Sequence, residues 1–266
     1  MIRTRPTGPR AGRHDGFRAR GHEITRLEGF SDAVFAFAIT LLIVSLEVPH
    51  SFAELVAAMR GFIGFAICFA LFIDVWFEHH RFFRRYGMQD TATILLNAAL
   101  LFLVLFYVYP LKFLFSVLVD GLTGTGTAAG SQAHPGQLEP AITALQMPWL
   151  MVIYGLGFVA VFFVFTLLYR HALRMREVLE LDEVEVLLTR SGLQAHLINV
   201  AVGVVSVGVA ALGIVTSAPS TPFWAGMTYF LLGPAQAIHG TLTRRRRLAL
   251  ERRRDHRGPD PARKEE

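Results

Sequence analysis

Long apolar runs separated by short polar segments dominate the pattern of the chain. A helix needs about 20 apolar residues to cross a hydrocarbon layer about 30 Å thick, and the runs lack the alternation that is typical of barrel strands. The pattern therefore predicts an all-α polytopic membrane protein with six transmembrane helices. These helices are expected at about 30–48, 54–78, 91–115, 147–170, 193–216 and 222–242.

The basic residues give this layout an orientation. All but two of the 26 Lys and Arg residues fall on one side of the predicted membrane. The exceptions, Arg60 and Lys112, lie near the far ends of their helices, where long side chains can reach the headgroups. By the positive-inside rule we expect both termini in the cytoplasm. Short loops and a single cysteine are compatible with the bacterial inner membrane, where we expect the chain.

Composition supports this class and divides the chain into parts. Hydrophobic residues make up 53% of the chain and charged residues only 18%. We expect a disordered basic tail over 1–23, a six-helix transmembrane domain over 24–243, and a basic cytoplasmic tail over 244–266 that is disordered after about Arg244.

Two shorter segments carry patterns of their own. Acids interspersed with Leu and Val predict a short cytoplasmic helix with a solvated face within 171–190. In the fifth predicted helix, small residues recur on one face and predict close packing against another helix. These residues are Gly203, Ser206, Ala210 and Gly213.

Polar residues gather at the cytoplasmic ends of the first two predicted helices. Ser31 and Asp32 lie at the start of the first helix, and Trp76 and Glu78 lie near the end of the antiparallel second helix. Two interpretations of Asp32 remain open. It meets an Arg, a His or the Trp76 indole from a neighbouring helix, or Ser31 and Asp32 simply cap the first helix.

Catalytic and metal-binding signals are weak. Adjacent residues on a helix point about 100° apart, so His79 and His80 make a poor metal site even with Asp74 or Glu78. The sequence has no zinc-protease motif, phosphate-binding glycine loop or serine elbow. We expect no enzyme, no metal and no cofactor. The basic runs are explained by topology and by anionic membrane lipids, so we expect no nucleic-acid partner.

Taken together, the motifs of the first two helices resemble one family. Arg26, three residues and then Phe30, Ser31 and Asp32 open the first helix, while Trp76 and the His79–His80 pair close the second. This arrangement resembles the potassium channels named for transmembrane protein 175, in their single-repeat prokaryotic form. The resemblance implies that 24–243 is a channel domain, that the chain forms a homotetramer, and that potassium permeates a central pore lined by the first helices.

The resemblance also implies roles for individual residues. A hydrophobic gate with a threonine ring would consist of the matching positions Phe37, Thr40, Leu41 and Val44, although Phe37 replaces a usual aliphatic residue and Val44 a usual leucine. The motif residues would have structural and gating roles. The first helix is apolar all round, however, and Ala38, Leu42 and Ser45 form an equally plausible face.

Two other classes of function remain open. A secondary transporter or proton-coupled carrier would use Asp32, Glu47, Asp74 and the histidines as a relay. Carriers commonly have two related halves and broken helices, and neither is evident in the sequence, although Gly155 and Gly157 lie in the fourth helix. A membrane enzyme or assembly factor would use His79 and His80.

Overall fold

The computed structural model describes residues 13–14, 17–18, 25–44, 51–123, 146–216, 218 and 220–257. Two short strands, β1 (Arg13–His14) and β2 (Phe17–Arg18), precede the helices. The helices are α1 (Arg26–Val44), α2 (Phe52–Tyr86), α3 (Thr91–Thr123), α4 (Met147–Arg174), α5 (Glu183–Thr216), α6 (Thr221–Met227) and α7 (Leu232–Arg257), with a 3₁₀ segment at Thr228–Leu231.

The all-α membrane class predicted from hydropathy is confirmed. Within the described residues, four helical segments are long and apolar enough to cross a membrane. They are Phe62–Tyr86, Thr91–Val108, Met147–Arg174 and Glu183–Thr216. They agree with the second to fifth predicted spans. The first and sixth predicted spans overlap α1 and the α6–α7 segment, and residues 45–48 of the first span lie outside the described residues.

The helices form two groups. In the first group α1, α2 and α3 pack on one another, and in the second α4 packs most extensively on α5, which also contacts α6 and α7. Contacts between α3 and α4 join the groups. One buried apolar cluster, the inner cluster, holds the first group together. It consists of Phe35, Ala38, Leu42, Cys68, Phe72, Leu101, Val104 and Val108.

The start of α1 differs from the prediction for a local reason. The helix begins at Arg26 rather than near residue 30. The Glu28 carboxylate accepts a hydrogen bond from the Thr25 backbone N–H at 2.8 Å, and the Thr25 hydroxyl accepts one from the Glu28 N–H at 3.1 Å. This reciprocal pair is a capping box. It places Ser31 and Asp32 beyond the first turn.

The predicted short helix within 171–190 is wrong. The α4 helix continues to Arg174, and α5 already begins at Glu183. The Asp182 carboxylate accepts hydrogen bonds from the backbone N–H groups of Val184 and Glu185 at 2.9 and 3.0 Å, so it caps α5. The acids also do not all share a solvated face, because Glu185 is buried.

The sixth predicted helix is interrupted. Its course changes from α6 through a 3₁₀ segment to α7. Pro234 explains the position of the change, since a proline has no N–H and its ring clashes with the carbonyl four residues earlier, here that of Phe230. The hydropathy pattern did not reveal this break because every residue around it is compatible with a membrane.

Both terminal tails show more structure than predicted. The α7 helix runs to Arg257, so the expected disorder after Arg244 is wrong for 244–257. In the N-terminal tail, β1 and β2 pair, and Phe17 is buried with its ring 5.6 Å from that of Tyr86. The expectation of disorder is therefore wrong for these four residues. The rest of 1–23 and residues 258–266 lie outside the described residues.

The predicted small-residue face of α5 is confirmed, and it packs within the subunit. Gly203, Ser206, Ala210 and Gly213 are all buried. The Ser206 hydroxyl donates to the Ala225 carbonyl of α6 at 2.8 Å. A Cβ at Gly213 would overlap Thr221 at the start of α6.

Gly157 of α4 should tolerate no side chain. A Cβ there would overlap the Tyr107 ring of α3. We expect Gly157→Ala to lower the free energy of unfolding by about 1–3 kcal/mol, which a shift of the thermal unfolding midpoint in detergent will measure. Gly208→Ala is the matched control, because a Cβ at Gly208 meets nothing within 4 Å. Equal midpoints for the two variants would contradict this packing.

Candidate functional site

The α1 helix has one covered and one uncovered face. Ser31, Phe35, Ala38 and Leu42 are each at most 1% exposed, and they face α2 and α3. On the opposite side Phe30 is 63% exposed and Phe37 is 56% exposed. The structure thus places Ala38 and Leu42 inside the subunit, although the sequence left their face equally plausible as a lining surface.

The other residues of the predicted gate do not all lie on the uncovered face of α1. Thr40 is exposed on the side of Phe37. Leu41 is half-buried against the inner cluster. Val44 ends α1, and its side chain is outside the description, as are Ser45 and Glu47. The Thr40 hydroxyl donates to the Ala36 carbonyl at 2.9 Å, so its lone pairs still have the capacity to accept a proton or a cation.

Asp32 has a partner on the next helix. The Trp76 indole N–H donates to Asp32 Oδ1 at 2.8 Å, from α2 to α1. The expectation of a neighbouring partner is confirmed, and the alternative that Ser31 and Asp32 cap the helix is wrong, because Thr25 and Glu28 form the cap. A hydrogen bond to an ionised carboxylate is about twice as strong as a neutral one, so this contact holds α1 against α2.

A second polar chain connects α1 through α3 to α2. The Asn97 side-chain N–H donates to Ser31 Oγ at 2.9 Å, and Ser31 in turn donates to the Leu27 carbonyl at 2.8 Å. His79 Nε2 lies 2.8 Å from Asn97 Oδ1, an acceptor, so His79 donates to it. Every member of this chain between the helices is buried.

The histidine pair does not form a metal site in the described part of the chain. His79 packs between the rings of Phe35 and Phe83, with centroids 5.5 and 4.6 Å away. His80 points elsewhere and stacks on Trp76 at 5.5 Å. Among the described residues no group of three His, Cys, Asp or Glu side chains is arranged to hold a metal ion.

The remaining motif residues lie apart from these bonds. Arg26 is exposed at the first position of α1, and its side chain makes no hydrogen bond or ion pair with the described residues. Phe30 is exposed one turn later. The structure therefore brings Ser31, Asp32, Trp76 and His79 together and leaves Arg26 and Phe30 on the outside.

Glu78 belongs to a different face of α2 from Trp76. Its carboxylate accepts from the Tyr169 hydroxyl at 2.7 Å, and it pairs with Arg81 at 2.9 Å and with His196 Nε2 at 3.3 Å. These contacts tie α2 to α4 and α5. The helical spacing explains the separation, because residues 74 and 78 share one face while 76, 79 and 80 share another.

Sequence reasoning missed three of these partners. Asn97, Tyr169 and His196 lie on the third to fifth helices, far from the motif. Asn97 and His196 carried a usable signal, since each is a polar side chain in a strongly apolar run and such residues usually face the interior of a bundle. Tyr169 carried none.

The ion pair between Asp90 and His171 lies at the end of the helices, with Asp90 outside the membrane-spanning segments. Asp90, between α2 and α3, accepts a hydrogen bond from the Thr93 hydroxyl at 2.6 Å and pairs with His171 of α4 at 2.8 Å. Burial alone would raise the pKa of Asp90, but the hydrogen bonds from Thr93 and His171 hold that pKa below its usual range.

Substitutions of Asp32 and Trp76 should have non-additive effects on stability, because either one breaks the same hydrogen bond. We expect Asp32→Ala and Trp76→Phe each to lower the free energy of unfolding by about 1.5–3 kcal/mol, and the double variant to lose little more than the worse single variant. Unfolding in mixed micelles measures all three. Trp149→Phe is the control, because Trp149 is 56% exposed. Strictly additive losses would exclude the bond.

The Asp90–His171 pair should make stability depend on pH. A carboxyl whose pKa is lower in the folded state stabilises the fold above its unfolded value, and this contribution is lost as the pH falls through the folded value. We expect Asp90→Asn to unfold at a lower temperature than the original chain at pH 7, with the difference shrinking below about pH 4. The exposed-pair variant Glu251→Gln should show almost no difference. A constant gap for Asp90→Asn would refute the lowered pKa.

Comparisons with known proteins point to one family. Residues 26–107 match the family described as endosomal/lysosomal potassium channel TMEM175. A protein named potassium channel from Marivirga tractuosa is 41% identical over 240 residues, which cover 90% of this chain and 95% of that relative. Another protein named potassium channel, from Chamaesiphon minutus, is 36% identical over 105 residues, 36% of this chain and 52% of the relative.

A solved structure agrees over most of the chain. The crystal structure of a threonine-to-alanine variant of the potassium channel MtTMEM175, in complex with a nanobody–MBP fusion protein, shares 40% sequence identity with this chain and has a TM-score of 0.73. The match covers 88% of this chain and 99% of that one. The long match to the Marivirga relative, the family motif on α1 and α2, and the shared fold show that this chain belongs to the TMEM175 potassium channel family.

Proposed function

We propose that this chain is a subunit of a potassium channel that conducts passively, and that the uncovered face of α1 lines its central pore. Family membership supports the activity. The observation that carries the assignment of the pore helix is the uneven burial of α1, with Ser31, Ala38 and Leu42 sealed inside the subunit and Phe37 and Thr40 open.

The same observation favours an assembly of several copies. One helix face cannot enclose a water-filled path, whereas identical faces arranged around a symmetry axis can. The described part of a single subunit leaves Phe30 and Phe37 without a covering helix. A homotetramer, as the family resemblance implies, gives these side chains a shared central position.

Within such a pore Phe37, Thr40, Leu41 and Val44 form the proposed hydrophobic gate. Rings of apolar side chains close a pore by excluding water, so ions cross only when the pore widens or when oxygen atoms replace lost water. The Thr40 hydroxyl suits this second role, because its hydrogen is bonded to Ala36 and its lone pairs remain for a cation. Potassium is the permeant species, and conduction includes no chemical step.

Opening then requires α1 to rotate or move outward. Either movement acts on the Asp32–Trp76 bond and on the chain from Ser31 through Asn97 to His79. We assign these residues structural and gating roles and not ion coordination. The other motif residues have the same proposed roles: Arg26 and Phe30 are exposed, and His80 stacks on Trp76.

The basic residues support the proposed orientation. Arg84 and Arg85 lie in the last turn of α2, Arg174 ends α4, and a run of arginines begins at Arg244 in α7. With six crossings these positions share one side, which the positive-inside rule makes cytoplasmic, with both termini there and the protein in the cell membrane. Anionic lipids on that side are natural partners.

The fourth helix gives the carrier alternative no support. Helix α4 continues without a break through Gly155 and Gly157, where a carrier would have a broken helix. Gly157 makes room for Tyr107. Asp32 is bonded to Trp76, and Glu47 is outside the described residues.

Removing the Thr40 hydroxyl should weaken selection among cations. We expect Thr40→Ala to reduce the preference for potassium over sodium by about fivefold, which corresponds to about 1 kcal/mol, in reversal potentials from reconstituted protein. Thr216→Ala is a closely matched control, since Thr216 is also exposed and also donates to the carbonyl four residues earlier, at 2.7 Å. A preference unchanged in both variants would remove Thr40 from the conduction path.

A further inference from the structure

A large cavity lies between the two helix groups. Its volume is about 660 Å³, and residues of α2, α3, α4, α5 and α7 line it. Cavities that bind small molecules usually have volumes of about 300–1,000 Å³. This one is separate from the uncovered face of α1, because none of its lining residues belongs to α1.

Two carboxylates line the cavity from successive turns of α2, and their surroundings differ. Glu78 has Tyr169, Arg81 and His196 as partners. Asp74 is exposed at the cavity and makes no hydrogen bond or ion pair with any described residue. An unpaired carboxylate in a membrane-spanning segment is costly, and such residues commonly pair with another group or mark a binding site.

The charged neighbours of Asp74 do not satisfy it. Glu78, Arg81 and His196 are close enough to act on it electrostatically. Of these, Glu78 repels it, whereas Arg81 and His196 are bonded to Glu78. Arg85 also lines the cavity, and its guanidinium lies over the Phe17 ring. Among the described residues, no basic side chain bonds to Asp74, so this carboxylate lacks a direct partner.

The side chains that line the cavity indicate which kind of cation would pair with Asp74. Rings of Tyr107, Phe158 and Phe162 line the cavity together with aliphatic side chains such as Leu71 and Val104. A metal ion would lack ligands, since the described residues contain no metal-holding group of His, Cys, Asp or Glu. An organic cation gains instead from both the carboxylate and the ring faces, which attract a positive charge within about 6 Å.

We propose that this cavity binds a hydrophobic organic monocation, a quaternary ammonium or protonated amine with an apolar body. The cationic group pairs with Asp74, and the body lies against the rings of Tyr107, Phe158 and Phe162. This binding is independent of ion conduction, so it is measured without any flux.

The test uses two probes of nearly the same shape. Benzyltrimethylammonium carries the charge, and neopentylbenzene has carbon in place of nitrogen and is neutral. Equilibrium binding to the purified full chain in detergent should show saturable binding of the cation at one site per chain, at least about tenfold tighter than that of the neutral probe.

Variants locate the site. Asp74→Asn should weaken binding of the cation at least about tenfold, as expected for loss of a charged contact, while Asp74→Glu retains it. Phe158→Leu should weaken it by a smaller factor. Asp90→Asn is the control, since Asp90 is also a carboxylate of the helical region but does not line the cavity.

Three outcomes would overturn the proposal. Equal binding of the two probes would indicate an apolar cavity filled by lipid chains. Unchanged binding to Asp74→Asn, or one site per several chains, would place the cation elsewhere, such as on the axis of the assembly. A complete lack of saturable binding to the original chain would also reject the site.

Discussion

The rotation of α1 about its own axis depends on a few polar contacts. Lipid chains are as apolar as leucine, so a helix that is apolar all round gains no hydrophobic preference for one orientation in a bilayer. The Asp32–Trp76 bond at 2.8 Å and the Asn97–Ser31 bond at 2.9 Å supply that preference. They turn Ala38 and Leu42 toward the inner cluster, and consequently Phe37 and Thr40 outward.

The α2 helix connects this constraint to the rest of the subunit. One face carries Trp76 and His79 toward α1 and α3, and the other carries Asp74 and Glu78 toward α4 and α5. A movement of α2 therefore changes its contacts with α1, the helix proposed to line the pore, and its contacts with α4 and α5. The cavity lies on that second face, so a molecule bound in it would contact α2, the same helix that bonds to α1.

The features that could be predicted from the sequence are those that depend on composition and on local motifs. Apolar runs and arginine positions predicted the all-α membrane class, and Asp32 was expected to meet a partner such as Trp76. Helix ends were predicted less well, because capping boxes at Thr25 and Asp182 and the break before Pro234 act over only a few residues. The covered face of α1 was not predictable, since it is set by Asn97 and Trp76 on other helices.

Reactivity of cysteines introduced along α1 tests the central claim most directly. In a Cys68→Ala background, a charged thiol reagent should modify Ala33→Cys and Thr40→Cys and reduce potassium flux, because both positions are exposed and the open pore contains water. Ala38→Cys should remain unmodified, since Ala38 is 0% exposed. Modification of Ala38→Cys with protection of positions 33 and 40 would show that the uncovered face of α1 contacts lipid, and would contradict the account.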